Sequence, residues 1–325
     1  MKTKEKLLLI LDKNKGNFVS GQEIAEQLQV SRTAVWKAIK TLKYDGYKIE
    51  SVKNNGYKLS SENDILSEGE IRNNLFEKYK NFVIKIFKST DSTNKQAKKL
   101  IAENTFENGT VLIADEQTEG KGRFGRKFFS PKGTGIYLST IIKSNIKVQD
   151  ISLITVVSAL AVCRSIKNLT KLNPQIKWIN DVYINGKKVC GILTEAVSNF
   201  ETQTADAVVV GIGINLKTKL FPEELKEKAG YITTDNISRN VFVAEVLNNL
   251  FSLTENLFDK KIIEDYKKFS FVLKKEIKYL SGDTVIKATA VDINDKGNLV
   301  VEDSNGKKSV LESGEISINL SHNFS

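Results

Sequence analysis

Residues 119–131 read EGKGRFGRKFFSP and place three glycines and four basic residues in thirteen positions, which raises the question of which anion the loop holds. Apolar stretches flank it, GTVLIADEQ (109–117) before and GIYLSTII (135–142) after, and both predict strands. Glycines between strands let a backbone approach a ligand closely, and arginines fork onto phosphate oxygens, so the loop suits a nucleotide. A solvated basic surface loop is the alternative. The spacing is not that of a Walker A loop, and no helix follows to aim its dipole at a pyrophosphate.

Outward from this loop the chain alternates strands and helices. FVIKIF (82–87) and DAVVVGIGINL (206–216) read as further strands, and DSTNKQAKKLIAEN (91–104) and SLITVVSALAVCRSIKNL (152–169) as helices able to cover a sheet. Residues 241–269 are expected to be helical, with a wide apolar stripe that is ordinary core. From Lys275 onward short alternating strands are broken by the turns SGD, DKGN and SNGK, the pattern of a small β-barrel.

The first sixty residues form a separate pattern. Leu7, Leu8, Ile10 and Leu11 share one face of a first helix, and SGQEIAEQL opens a second with Ser20 and Glu23 placed as a capping box. Ser31 then caps a third helix that buries Val35, Ile39 and Leu42. YKIESVKNNGYKLS follows as a hairpin turning at Asn54, Asn55 and Gly56. Helix-turn-helix plus hairpin is a winged helix. Ser31, Arg32, Thr33 and Lys37 stand where a recognition helix meets bases and phosphates, with Lys53 and Asn54 at the wing tip, so the expected partner is DNA. A protein-binding winged helix is the alternative. SSENDILSEGEIRNNL reads as a linker into a helix starting near Ser67.

Composition narrows the chemistry. The chain has 325 residues, enough for two or three domains, with 40% hydrophobic and 27% charged residues and a net charge of +10, a balance that suits a polyanionic partner without requiring one. Its only histidine, His322, lies in a polar tail, which excludes a histidine-based triad and a multi-histidine zinc centre. Cys163 and Cys190 sit in apolar stretches and are expected to be buried reduced thiols. No apolar run is read as long enough to span a bilayer and the N-terminus lacks a signal-peptide cleavage site, so the expected location is the cytoplasm.

GKGRFGRKFFSP resembles the Gly-Arg-Gly-Arg-x-Gly-Arg signature of biotin protein ligases, and DSTN upstream, KWINDVYINGKKVCGIL (177–193) and VVVGIGINL (208–216) downstream follow that family's order. With the winged helix the resemblance extends over nearly the whole chain, to the bifunctional class that is both ligase and biotin operon repressor. Lys121 stands where the family usually has arginine, Phe128 where it has tryptophan and Ile179 where it has proline. The resemblance implies an α+β multidomain protein: a winged-helix DNA-binding domain at 1–63, an α/β ligase domain with a mixed sheet at 64–271 and an SH3-like barrel at 272–325. It implies that biotin and ATP, with Mg2+, give biotinyl-5′-adenylate, which acylates a lysine of a biotin carboxyl carrier domain, and that the adenylate promotes a homodimer on operator DNA.

The same resemblance assigns residues. The biotin carboxylate and the α-phosphate repel each other, and Arg123 and Lys188 are the catalytic cations expected between them, with Lys121 nearby. Ser92, Thr93, Asn94, Gln117, Lys121, Gly122, Arg123, Lys188 and Gly191 are the implied biotin site. Gly120, Arg123, Arg126, Phe128, Lys177 and Asn215 are the implied adenylate site, and Asp181 is the candidate on the magnesium side or a turn-forming aspartate. Two rival readings are a lipoate-type acyl ligase and a ligand-sensing repressor without ligase activity.

Overall fold

A computed structural model describes residues 3–61, 63–199, 204–232, 237–282 and 284–318, so His322 lies outside the described residues. The chain forms two compact units, residues 1–80 with 236–244, and residues 81–235 with 245–325.

In the first unit α1 (Thr3–Lys13), α2 (Gly21–Leu28) and α3 (Arg32–Tyr44) are followed by the hairpin β1 (Ile49–Val52) and β2 (Gly56–Leu59). Leu7, Leu11, Ile24, Val35, Ile39, Leu42 and Leu59 converge on one buried core, as the helical spacing requires. The Ser31 hydroxyl accepts the Ala34 N–H at 3.2 Å, so α3 is capped where its sequence places the cap. At α2 the capping differs: Ser20 accepts from the N–H of Gln22, not of Glu23, so the expected reciprocal box is not formed. The wing turns through Asn54 and Gly56, both at positive φ, and a side chain on Gly56 would collide with the Val19 carbonyl. Ser67 caps α4 (Glu68–Asn74). Buried Asn240 completes this unit, donating to Ile65 O and Glu70 Oε2 at 2.9 Å and accepting from the Ser67 N–H at 2.8 Å.

The second unit is built on a seven-stranded mixed sheet. Its strands are β3 (Ile84–Phe87), β4 (Thr110–Ala114), β5 (Ile136–Lys147), β6 (Gln175–Lys177), β7 (Asp181–Ile184), β8 (Lys187–Asn199) and β9 (Thr204–Ile214), in the order β3-β4-β5-β9-β8-β7-β6. Among these neighbours only β3 and β4 run parallel. α5 (Thr93–Ala102) packs Ala97 against Leu112, Ile141, Ala207 and Val209 of the sheet. α6 (Ile151–Leu169) is long and apolar enough by composition to cross a membrane, which corrects the reading that no such run exists; it is mostly buried, as a core helix is. The stretch expected to be helical over 241–269 is two helices, α7 (Arg239–Thr254) and α8 (Lys260–Phe269), the second capped by Asp259. Cys163 and Cys190 are buried free thiols.

The chain ends in a five-stranded antiparallel sheet of β10 (Glu276–Ser281), β11 (Thr284–Ile293), β12 (Leu299–Glu302), β13 (Lys308–Leu311) and β14 (Ile316–Ser317), ordered β13-β12-β11-β10-β14. Among the described residues β13 and β14 remain at opposite edges, so the sheet is open where a closed barrel was expected. The indole N–H of Trp178 donates to the Gly297 carbonyl at 2.9 Å, tying this sheet to the central one.

Candidate functional site

A cavity of about 700 Å³ lies in the second unit, walled by the start of α5, Gln117, the 119–131 loop, β5, β7, β8, β9 and the Gly314–Ile316 turn. The loop is itself a small hairpin. Gly122 N–H donates to Arg126 O at 2.7 Å and Phe128 N–H to Gly120 O at 2.9 Å, with Phe124 and Gly125 at positive φ forming its tip. Lys121, Gly122, Arg123, Arg126 and Phe128 face the cavity, whereas Gly120 lies outside its lining, packed against Phe128 O and Ser130.

One end of the cavity is a hydrogen-bonding cradle at the start of α5. Ser92 occupies the N-cap position but its hydroxyl makes no cap bond; the Thr93 N–H and hydroxyl are directed to Gln117 Oε1 at 2.8 and 3.1 Å. Behind them the Ser139 hydroxyl lies 2.7 Å from Thr93 Oγ1 and 2.6 Å from Asn94 Oδ1. Asn94 Nδ2 donates to Glu195 Oε2 at 2.8 Å and to Leu193 O at 3.3 Å. Although burial opposes ionisation, hydrogen bonds from Lys98 and Asn94 hold the Glu195 carboxyl below its ordinary range.

The other end is cationic. Lys188 Nζ pairs with Asp181 Oδ1 at 2.6 Å, and Arg123 Nη1 donates to Asn180 Oδ1 at 3.1 Å. Burial lowers the pKa of both Arg123 and Lys177; a guanidinium nevertheless stays charged. Arg126 forms a bidentate pair with Glu315 at 2.7 and 2.5 Å, which holds the Glu315 carboxyl below its ordinary range. Between the two ends lies Phe128, edge-on to Tyr137 with ring centroids 6.4 Å apart. Gly213 leaves room for its ring, since a β-carbon there would stand 2.5 Å from Phe128, and a β-carbon on Gly191 would crowd the Lys188 side chain at 3.1 Å. Gly211 leaves room for Asn94 in the same way. Asn215 lines the cavity, but its Nδ2 is committed to Gly230 O at 3.0 Å.

Of the residues singled out in the sequence, Ser92, Thr93, Asn94, Gln117, Lys177, Asp181, Lys188, Gly191 and Asn215 thus meet around one cavity with the loop. Asn180, which also lines it, stands inside the KWIND motif but was not singled out, and Glu315 in the lining and Glu195 and Ser139 behind it were not singled out either.

In the first unit Ser31, Arg32, Thr33 and Lys37 are exposed on α3, and Lys53 and Asn54 are exposed at the wing tip. Trp36 is 53% exposed on the same helix, beneath the Lys40 ammonium at 5.5 Å, and sequence reasoning did not single it out. α3 contains no acidic residue, so this surface suits a polyanion.

Three segments match known families: residues 3–58 an HTH domain, 86–215 the biotin/lipoate A/B protein ligase family, and 273–318 the biotin protein ligase C-terminal domain. The chain is 34% identical to the bifunctional ligase/repressor BirA of Bacillus subtilis (strain 168), covering 95% of this chain and 97% of that protein. It is 29% identical to the BirA of Escherichia coli (strain K12), covering 93% and 94%. Its structure is similar to that of the biotin protein ligase from Aquifex aeolicus in complex with biotin and ATP, with a TM-score of 0.61 and 30% identity over 73% of this chain and 98% of that one. The chain belongs to the family of bifunctional biotin protein ligases and repressors.

Proposed function

We propose that the chain joins biotin to ATP as biotinyl-5′-adenylate, transfers biotin to a lysine of a biotin carboxyl carrier domain, and represses biotin genes as a DNA-bound homodimer. The observation that carries this reading is the two-ended cavity, a neutral hydrogen-bonding cradle at one end and Arg123, Lys177 and Lys188 at the other. A ureido ring enters the cradle and a carboxylate reaches the cations. There a carboxylate oxygen attacks the α-phosphorus and the bond to pyrophosphate breaks. Lys188 and Arg123 lie beside both anions and lower their repulsion, most strongly as charge gathers on the phosphoryl oxygens in the transition state. The carrier lysine amine then attacks the acyl carbon and AMP departs.

Asp181 and Glu315 are the carboxylates among the described cavity residues, and each already holds a cation. Asp181 would hold a magnesium ion together with the nucleotide phosphates, and the ion would neutralise phosphate charge there. Phe128 offers a flat face for adenine, with Asn215 beside it. We assign residues 1–63 to DNA reading, 64–271 to the chemistry and 272–325, an opened relative of the SH3-like barrel, to closing the site through Glu315. Dimerisation follows closure of the 119–129 loop over the adenylate, and the protein works in the cytoplasm. Sedimentation of wild type and Gly125→Val with and without biotin plus ATP, and mass analysis of a carrier domain after incubation, test these assignments. Ligand-independent sedimentation contradicts the dimer, and an unmodified carrier lysine contradicts the transfer.

A further inference from the structure

α3 meets the core of the first unit through Val35, Ala38, Ile39 and Leu42, and that core closes without Trp36. An exposed apolar side chain alone signifies little; what surrounds this one decides its use. Arg32, Trp36 and Lys40 follow at intervals of four, so they form one row along the helix, with Thr33 and Lys37 in the row beside it. All five are exposed. The Lys40 ammonium lies 5.5 Å from the indole centroid, and Lys43, a turn further on, donates to Ser51 Oγ of β1 at 2.8 Å. A bare indole thus stands between cations on the helix that carries no acidic residue.

We infer that Trp36 is a specificity-determining residue for DNA: its ring covers the C5-methyl group of a thymine in the major groove. The inference rests on the DNA-binding reading of the first unit and deepens it. A helix lying in the groove sets its side chains against phosphates or base edges, and cations suit phosphates whereas an apolar ring finds no partner among them. The apolar group that base edges present in the major groove is the thymine methyl. Arg32 and Lys37 pair with guanine or phosphate, and Thr33 bonds to any base, so none of them registers that methyl. Lys40 positions the ring, because an ammonium over its face holds it along the helix and stands ready for a flanking phosphate. An acidic protein surface would fit the same cations but offers no methyl at a fixed nucleotide.

The full chain, with biotin, ATP and Mg2+, selects a duplex from a random pool, and each thymine of that duplex is then replaced in turn by deoxyuridine. The replacement removes the methyl and keeps every hydrogen-bonding group. At one thymine of a half-site it should weaken wild-type binding by about fourfold, the value of one buried methyl, and by about fifteenfold when both half-sites are changed. Trp36→Ala should bind the thymine duplex weakly and lose the response to deoxyuridine at that position, whereas Trp36→Phe keeps most of it. Arg32→Ala should weaken binding yet retain the response, which separates methyl reading from a general loss of affinity. Trp36 and Trp178 are the two tryptophans of the chain and Trp178 is buried, so acrylamide quenching of intrinsic fluorescence reads Trp36 and should fall when the duplex is added. A wild type indifferent to deoxyuridine at every thymine, or a Trp36→Ala variant that keeps the wild-type response, overturns the inference. Undiminished quenching in the DNA-bound protein overturns it as well and leaves the ring to a protein partner. A wild type that enriches no sequence overturns the DNA-binding reading itself, a result distinct from these.

Discussion

Lys188 and Asp181 stand 2.6 Å apart on neighbouring antiparallel strands, and both line the cavity. In the proposed reaction the pair aims a cation where the carboxylate and the phosphate would meet. Lys188→Ala should slow adenylate formation by about 100-fold to 1000-fold, a loss of about 2.7 to 4 kcal/mol of transition-state stabilisation, with the thermal melt unchanged. Asp181→Asn keeps the shape but releases the ammonium, and pyrophosphate release should fall less steeply. Wild-type rates in Lys188→Ala would remove it from the catalytic site.

Gly211 and Gly213 exist to seat two side chains, Asn94 and Phe128. Gly213→Ala should push Phe128 out of the cavity and raise KM for ATP, and Gly211→Ala should displace Asn94 and raise KM for biotin. Overpacking of this kind costs about 1 to 3 kcal/mol in stability as well. Paired melts and initial rates check both, and identical KM values for both substrates in both variants would contradict the assignment.

That pairing also marks what was legible in the sequence. The winged helix, the strands around the loop and the family motifs could be read because periodicity, caps and turn residues are local. GIGI was visible as a motif, but its reason was not, since Asn94 and Gly211 meet only after the sheet forms. Glu315 lies 189 residues from Arg126, and Glu195 lies 101 residues from Asn94. No spacing rule joins such residues. The open C-terminal sheet was missed for a related reason, because strand patterns specify pairing between neighbours and not closure between edges.

For DNA, Arg32→Ala and Lys37→Ala should weaken binding to the duplex that wild type enriches from a random pool, with adenylate formation unchanged. If Lys37 contacts a phosphate, its loss should reduce the salt slope by about one. Fluorescence anisotropy across salt concentrations measures this, and an unaltered affinity and slope for both variants would place α3 outside the interface.

The winged-helix unit should also respond to pH through Asp12. Burial, then the neighbouring Glu70 charge, push its carboxyl up to about 7 from 3.8, against the pull of Lys15 and the Ser67 hydroxyl, while the Tyr47 phenol faces the same cluster. The folded state therefore holds this proton more tightly than the unfolded state does. The Asp12 contribution favours folding most below about pH 4 and is lost as pH rises towards 7. Asp12→Asn should be more stable than wild type at pH 7.5 and show a flatter melting profile between pH 4 and 7; equal slopes in calorimetry would contradict this.

The most direct measurement is adenylate formation itself. Wild type incubated with α-labelled ATP, Mg2+ and, separately, biotin, lipoate and octanoate should convert label to an acyl-adenylate, with equimolar pyrophosphate, in the biotin reaction above all others. Lys188→Ala should lose that product. Label transferred preferentially with lipoate or octanoate would make the chain an acyl ligase of the other kind, and no adenylate with any acid would contradict the enzymatic account altogether.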